Sequence, residues 1–223
     1  MARNRSYKIR LDYLALRATP VATDPYPHVV VPHFVPPTSL RSVLADMPAL
    51  NKRGSFPADA IRGGPAAQAL MDALEGPELR EAIAEKFDLD LTRSPTMLTV
   101  RGWTTRRDGH VHTDSTAKRV TVLLYLNQDT GAFGEHEGCL RLLRSPHDLD
   151  DYAVEVPPVN GTLLVFPNGP NVWHGHKTFE GQRYSMQLNY MTTGGRARSE
   201  LRRHRWSAFI KRLTGAAPPP PAA

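Results

Sequence analysis

The sequence predicts a mainly β domain with flanking helices (α+β), built as a β-sandwich or jelly roll. Two observations predict it. After residue 90, short runs rich in β-branched and aromatic residues alternate with turns rich in Gly, Pro, Asn and Asp, the pattern of many short strands. Before residue 90, apolar residues recur at helical spacing instead. A helical lead-in at about 26–90 and a β core at about 95–192 are therefore expected.

The lead-in is expected to open with a strand and continue as helices. Residues 26–31 (YPHVVV) predict the strand, and the Pro36-Pro37-Thr38 run predicts a helix start. The first helix carries an apolar stripe at i, i+3, i+4 and i+7, formed by Leu40, Val43, Leu44 and Met47. Two more helices are predicted at about 65–74 and 77–87, the second with a stripe of Leu79, Ile83 and Phe87.

The core and the C-terminal segment complete the predicted elements. Five core strands are expected, at 97–103, 119–127, 138–143, 161–166 and 183–191. A helix at about 198–213 follows, capped by Ser199 and carrying an apolar stripe of Trp206, Phe209, Ile210 and Leu213. The Ala- and Pro-rich residues 216–223 are expected to form a disordered tail, which leaves one domain over 1–215.

The positive charge of the chain is confined to this C-terminal segment. The net charge is +6, from 28 basic and 22 acidic residues. Residues 196–212 hold seven of the basic residues and one acidic residue, so 21 of each remain elsewhere. Nucleic acid is therefore not an expected partner of the main domain. The basic helix, Arg198 to Leu213, fits either packing on the domain or contact with an anionic membrane surface or acidic partner.

Several other classes of protein are excluded by missing sequence features. The longest apolar runs, such as 122–126, are far shorter than the roughly 20 residues that span a bilayer. The N-terminus has no continuous apolar segment of the signal-peptide kind, so a cytoplasmic location is expected. Cys139 is expected to be a buried structural thiol. Dinucleotide, P-loop and serine-hydrolase motifs are missing.

The strongest chemical signal is a set of metal-binding residue types. The segment DGHVHTD places His112 and Asp114 two positions apart, so on an extended strand both side chains reach one face. His110 also fits there. A second cluster, WHGH, adds His174, with His176 as its competitor. Two imidazoles and one carboxylate form the facial triad of non-haem Fe(II) oxygenases, although a zinc site also accepts these ligands.

A basic residue nine positions after His174 decides between iron and zinc. Arg183 and Ser185 alternate on one strand face, so a guanidinium and a hydroxyl can share one carboxylate. Here the sequence resembles the 2-oxoglutarate/Fe(II)-dependent dioxygenase superfamily, in particular its prolyl-4-hydroxylase-like branch. The resemblance covers about 97–191, through KRVTVLLYLN at 118–127, EGCLRL at 137–142 and GTLLVF at 161–166.

The resemblance implies a cupin-like jelly roll, or double-stranded β-helix, and a set of roles. His112, Asp114 and His174 would be the iron ligands, and Arg183 would bind the 2-oxoglutarate carboxylate. Tyr125 lies where relatives place a tyrosine against the same carboxylate. If His176 were the ligand, its spacing to Arg183 would be short for the family. Fe(II), 2-oxoglutarate and O₂ are thus the expected cofactors, and ascorbate can support the activity.

The remaining candidates have ordinary structural explanations. His110, His136 and His147 are expected to be surface or loop residues, and Trp103 and Trp173 fit the core as well as a substrate wall. The family's halogenases lack the carboxylate ligand, so Asp114 argues for hydroxylation, with desaturation and ring formation left open. The alkylation-repair members have a second arginine where this chain has Asn189. A metal-dependent cupin that uses no 2-oxoglutarate would not need Arg183.

The expected substrate is a polar small molecule or a sugar. Candidate residues at the lip of the site are polar: Arg101, Arg106, Arg107, Asn168, Asn171, Gln187 and Asn189. Such a lip favours a substrate that forms hydrogen bonds. Peptidyl or free proline is the alternative, because the motifs resemble the prolyl-4-hydroxylase-like branch most.

Overall fold

The computed structural model describes residues 7–133 and 136–213, with side chains described as far as residue 204. Its helices are α1 (Tyr13–Ala18), α2 (Pro37–Asp46), α3 (Pro65–Glu75), α4 (Pro77–Phe87) and α5 (Gly195–Leu213). The strands of the lead-in and first core half are β1 (Val29–Val31), β2 (Phe56–Pro57), β3 (Thr96–Thr104), β4 (Lys118–Tyr125) and β5 (Leu140–Leu143). The last strands are β6 (Tyr152–Val156), β7 (Leu163–Pro167), β8 (His174–His176) and β9 (Gly181–Met191).

Local sequence signals set the ends of the helices. Three of them, α2, α3 and α4, begin with a proline at the first position, where the missing N–H is not needed and the fixed φ suits a helix. Asp12 caps α1 by accepting a hydrogen bond from the backbone N–H of Ala15 at 2.9 Å. Helix α4 ends at Asp88, which adopts the left-handed conformation common at helix C-termini.

The strands form two antiparallel sheets. The major sheet has the order β1-β7-β4-β9-β3-β2, and the minor sheet has the order β6-β5-β8. The long strands β4, β9 and β3 pair side by side in the centre of the major sheet. Tyr125 of β4 lies opposite Ser185 of β9, and Ser185 lies opposite Arg101 of β3. Because paired residues point to the same face of a sheet, these three side chains form one row.

Each face of the major sheet packs against a different layer. One face packs against the helices through buried residues such as Val122 and Leu188, together with Leu70 and Ile83 of α3 and α4. The other face packs against the minor sheet in a smaller cluster that includes Tyr125, Phe166 and Leu142. The predicted jelly roll is confirmed, and its open space lies between the two sheets.

The structure also contains elements that the pattern analysis did not predict. These are α1, the two-residue strand β2, and the strands β6 and β8. Both histidines of the WHGH motif belong to β8, which has only three residues. The segment around His112 and Asp114 is not the expected strand. Residues 105–117 are irregular apart from an isolated bridge between His112 and His174.

The C-terminal helix begins earlier than expected. It starts at Gly195, so the prediction of a Ser199 cap is wrong: Ser199 lies within the helix. Ala197 is fully buried and packs with Ala117 and Met191, and Leu201 is half-buried against the same cluster. The side chains of the predicted stripe at 206–213 lie outside the described residues, as does the tail at 216–223. Over the described part of the chain, no helix combines the length and apolarity needed to cross a membrane.

Deleting residues 197–223 is expected to lower the melting temperature by a few degrees. The reason is loss of the Ala197 and Leu201 packing and of the 2.7 Å hydrogen bond from Ser115 to Glu200; each kcal/mol lost corresponds to roughly 2–4 °C for a domain of this size. Metal and co-substrate binding should survive. Thermal melts of both proteins test this, and a truncated chain that melts unchanged but no longer sediments with anionic liposomes would instead indicate a membrane-binding helix.

Candidate active site

Three potential metal ligands meet where the β3–β4 loop reaches the minor sheet. His112 and His174 form an antiparallel backbone pair, each N–H donating to the other's carbonyl at 3.0 Å, and their rings lie 4.4 Å apart. Asp114 follows two residues after His112. One ligand atom from each of the three side chains lies within 4.8 Å of the others. Two imidazoles and one carboxylate could hold a divalent metal while leaving coordination positions open.

Both imidazoles are oriented by backbone carbonyls. Nδ1 of His112 donates to the carbonyl of His110 at 2.8 Å, and Nδ1 of His174 donates to that of Val172 at 3.0 Å. A carbonyl only accepts hydrogen bonds, so in each ring Nδ1 carries the proton and Nε2 keeps its lone pair for a metal. Phe166 supports the His174 ring, with centroids 5.1 Å apart.

The protonation states of the buried ligands also suit a cation. Burial, with help from neighbouring His112, lowers the pKa of His174 to about 4, so this imidazole is neutral at neutral pH. Burial alone would raise the pKa of Asp114, but Lys118, His174 and the hydrogen bond from Thr121 outweigh it and lower the pKa. A neutral imidazole and an ionised carboxylate are the forms that bind metals.

A polar network around Asp114 was missed by the sequence reasoning. The ammonium of Lys118 forms an ion pair with Oδ1, and the hydroxyl of Thr121 donates to Oδ2 at 2.6 Å. Thr121 in turn accepts a hydrogen bond from the amide of Asn168 at 2.9 Å. The spacing of Lys118 and Thr121, four and seven positions after Asp114, was visible in the sequence, but nothing in the sequence showed that the loop would turn back onto β4.

Arg183 and Tyr125 provide unsatisfied hydrogen-bond donors beside the metal cluster. The guanidinium of Arg183 is 7 % exposed, donates through Nε to the carbonyl of Gly138 at 2.9 Å, and lies 5.2 Å from the centre of the Tyr125 ring. Its Nη2 and the Tyr125 hydroxyl are buried without hydrogen-bond partners in the described structure. Buried polar groups are rarely left unpaired, so these two atoms fit an anionic ligand such as a carboxylate.

One cavity of about 180 Å³ connects these groups. It is lined by the three metal-ligand candidates, by Arg183, Tyr125 and Ser185, and by further polar and apolar side chains. Those further side chains are Arg101, Lys118, Thr121, Leu123, Leu140, His176 and Gln187. The residues expected to bind metal and those expected to bind a carboxylate therefore face the same cavity.

The structure separates the competing histidines. His176 lines the cavity but is not part of the metal-ligand cluster, and burial followed by repulsion from Arg183 lowers its pKa to about 4. Histidines 110, 136 and 147 are exposed, as expected for surface residues. Trp103 and Trp173 are half-buried and lie outside the cavity lining.

The predicted lip residues divide into two groups. Arg101 and Gln187 line the cavity, and Asn168 and Asn189 hydrogen-bond to Thr121 beside it. By contrast, Arg106, Arg107 and Asn171 are exposed and lie outside its lining. Cys139 is a buried free thiol, as expected, and burial raises its pKa to about 11.

Comparison with known proteins agrees with this geometry. Residues 101–191 match the family model of the 2OG-Fe(II) oxygenase superfamily. No curated protein sequence matches the chain.

Solved structures of prolyl hydroxylases share its fold. A Pseudomonas putida prolyl-4-hydroxylase is 18% identical with a TM-score of 0.56, covering 86% of this chain and 99% of its own. A Phytophthora capsici prolyl 4-hydroxylase is 16% identical with a TM-score of 0.56, and the match covers 95% of this chain and 78% of the hydroxylase. The viral collagen prolyl hydroxylase of Paramecium Bursaria Chlorella virus-1 is 12% identical with a TM-score of 0.52, and the match covers 78% of this chain and 94% of the viral enzyme.

The matched segment carries the site described above. Residues 101–191 contain His112, Asp114, His174 and Arg183, and both sheets of the jelly roll contribute to it. The shared fold accounts for most of the rest of the chain. The part of the chain that carries the candidate site therefore matches the 2OG-Fe(II) oxygenase superfamily, a family of enzymes that use Fe(II), 2-oxoglutarate and O₂.

Proposed function

We propose that this enzyme hydroxylates an unactivated C–H bond of a polar small molecule or sugar-type substrate, with release of succinate and CO₂. The observation that carries the proposal is the shared cavity: the cluster of His112, Asp114 and His174 and the unpaired donors of Arg183 and Tyr125 line the same space. A keto acid held at one end by these donors can present its other end to a metal on the cluster.

The proposed roles follow from the chemistry of each side chain. The Nε2 atoms of His112 and His174 and one oxygen of Asp114 hold the iron. Arg183 and Tyr125 bind the distal carboxylate of 2-oxoglutarate, with Ser185 in the same row of the sheet. When bound, iron and 2-oxoglutarate together activate O₂ for oxidation of the C–H bond. The side chains contribute position, charge balance and exclusion of water.

Two features favour hydroxylation of a polar substrate. The carboxylate of Asp114 would fill the coordination position on the metal that a halide would need, so it favours hydroxylation over halogenation. The part of the cavity lining that is given no role above includes the polar side chains of Arg101 and Gln187 beside Leu123 and Leu140, and polar groups in a pocket fix the orientation of substrates that form hydrogen bonds.

Peptidyl or free proline is the second candidate substrate. It is favoured by the fold, because the solved structures described above are prolyl hydroxylases by name. A shared fold leaves the substrate open, so the polar lining supports the small-molecule proposal more directly.

A substrate screen scored by succinate tests the proposal. Purified enzyme with Fe(II), 2-oxoglutarate and O₂ is expected to form succinate faster with a polar small molecule or sugar, and mass spectrometry should show the product heavier by one oxygen atom. Boiled enzyme and omission of 2-oxoglutarate serve as controls. Stimulation by proline-containing peptides alone would move the assignment to prolyl hydroxylation, and hydroxylation without 2-oxoglutarate would contradict the proposal.

A further inference from the structure

Arg101 is a cation that lines the active-site cavity, and none of the roles proposed above involves it. It lies on β3 opposite Ser185, which lies opposite Tyr125 on β4. The three residues share one row on the cavity face of the major sheet, and all three line the cavity. Arg101 is the solvent-exposed member of the row, whereas Tyr125 and Ser185 are buried. It therefore stands at the opening, one strand beyond the residues proposed to bind 2-oxoglutarate.

The acidic groups near Arg101 are already paired. The carboxylate of Asp108 accepts hydrogen bonds from Nε of Arg53 at 3.1 and 3.2 Å and from the backbone of Thr105 at 2.9 Å. The carboxylate of Asp114 is held by Lys118 and Thr121. Arg101 itself has no hydrogen bond or ion pair to any described residue. Its five N–H donors are thus free for a ligand.

The environment of Arg101 disfavours an unpaired cation. Desolvation by the surrounding protein is the main cause of a lowered pKa for Arg101. Attraction to Asp108 partly offsets it, and repulsion from Arg183 and Arg53 lowers the pKa further, although an arginine side chain remains protonated. An anion beside the guanidinium would relieve this repulsion and would form charge-assisted hydrogen bonds.

The charge balance of the loaded cavity points the same way. Three cationic side chains, Arg101, Lys118 and Arg183, and one carboxylate, Asp114, line it. The charges of Fe(II) and the 2-oxoglutarate dianion cancel each other. The loaded cavity therefore keeps an excess of positive charge, and a cleft of one sign concentrates ligands of the opposite sign.

We propose that Arg101 binds an anionic group, a carboxylate or a phosphate, on the primary substrate. This inference rests on the proposed function and narrows its substrate class to polar molecules that carry such a group. The fork of the guanidinium matches both anions in a bidentate contact. Arg101 would thereby hold the substrate at the opening of the cavity, while Arg183 holds 2-oxoglutarate within it.

Binding of matched acid and neutral probes tests the inference. The enzyme is loaded with Mn(II) and 2-oxoglutarate without O₂, and titration calorimetry measures two probe sets. One set is N-acetyl amino acids with their carboxamides, and the other is sugar phosphates with the free sugars. In at least one set, the enzyme should bind the anionic probe about tenfold or more tightly than its neutral partner, which is the effect of a hydrogen bond between charged groups. The set that does so identifies the anion.

Variants separate Arg101 from general electrostatics and from the co-substrate site. Arg101→Gln should abolish the preference for the acid and change the Kd of 2-oxoglutarate by less than about twofold, while Arg101→Lys should retain part of the preference. Arg106→Gln is the matched control, because Arg106 is an exposed arginine paired with Glu180 outside the cavity. Melting curves check that each variant folds.

Each remaining outcome contradicts a specific statement. If neither anionic set binds better than its neutral partners, or if Arg101→Gln keeps the preference, the inference is wrong although 2-oxoglutarate still binds. If Arg101→Gln weakens 2-oxoglutarate as strongly as replacement of Arg183 does, Arg101 belongs to the co-substrate site. If the wild type binds neither Mn(II) nor 2-oxoglutarate, the proposed roles themselves fail.

Discussion

Replacing Asp114 or His174 with alanine is expected to abolish succinate formation and to reduce bound Fe(II) from one per chain to a small fraction. Each substitution removes one of the three atoms that lie within 4.8 Å of one another, so a facial triad loses one of its three protein ligands. Asp114→Ala also leaves Lys118 without its carboxylate partner, which adds a positive charge next to the metal position. Iron content by mass spectrometry and succinate release measure the two effects.

His176→Ala is the control for these variants. His176 belongs to the same short strand as His174 and is also buried, but its ring lies outside the metal-ligand cluster. The variant should keep its iron even if turnover changes. An enzyme that loses its iron with His176→Ala and keeps it with His174→Ala would show that the ligand assignment is wrong.

Most of the fold was predictable because its signals are local. The stripes at Leu79 and Ile83 and the β-branched runs around Val122 and Val165 each depend on a few neighbouring residues, and the structure contains the corresponding helices and strands. Strand β8 was missed for a physical reason. Strand β8 consists of His, Gly and His, which have little intrinsic strand preference, and it is formed by pairing with β5.

The candidate site was predictable in its residues but not in its surroundings. The spacing of His112 and Asp114 and the distance from His174 to Arg183 identified the cluster without a structure. The ion pair of Lys118 with Asp114 depends on how an irregular loop folds onto β4. The isolation of Arg101 depends on Arg53 pairing with Asp108, 55 positions away. Such long-range contacts leave no periodic pattern in a single sequence.

Arg183→Ala is expected to raise the KM for 2-oxoglutarate about ten- to hundredfold. The side chain is buried, and its Nη2 has no partner among the described residues. A charge-assisted hydrogen bond there contributes on the order of 1.5–3 kcal/mol, which corresponds to that range. The measurement is the dependence of succinate formation on 2-oxoglutarate, together with the Kd of 2-oxoglutarate for the Mn(II)-loaded enzyme.

Two further variants test the geometry of the Arg183 guanidinium and the hydroxyl of Tyr125 separately. Arg183→Lys keeps the charge but loses the hydrogen bond from Nε to Gly138 and the two-pronged geometry, so its KM should lie between those of the wild type and Arg183→Ala. Tyr125→Phe removes only the unpaired hydroxyl and should raise KM several-fold, in line with about 0.5–1.5 kcal/mol for a neutral hydrogen bond. Fe(II) binding should be unchanged in all three, because none of them removes a metal-ligand candidate. If all three retain the wild-type KM, the carboxylate of 2-oxoglutarate is not bound by this pair, and the two unpaired donors must serve the substrate instead.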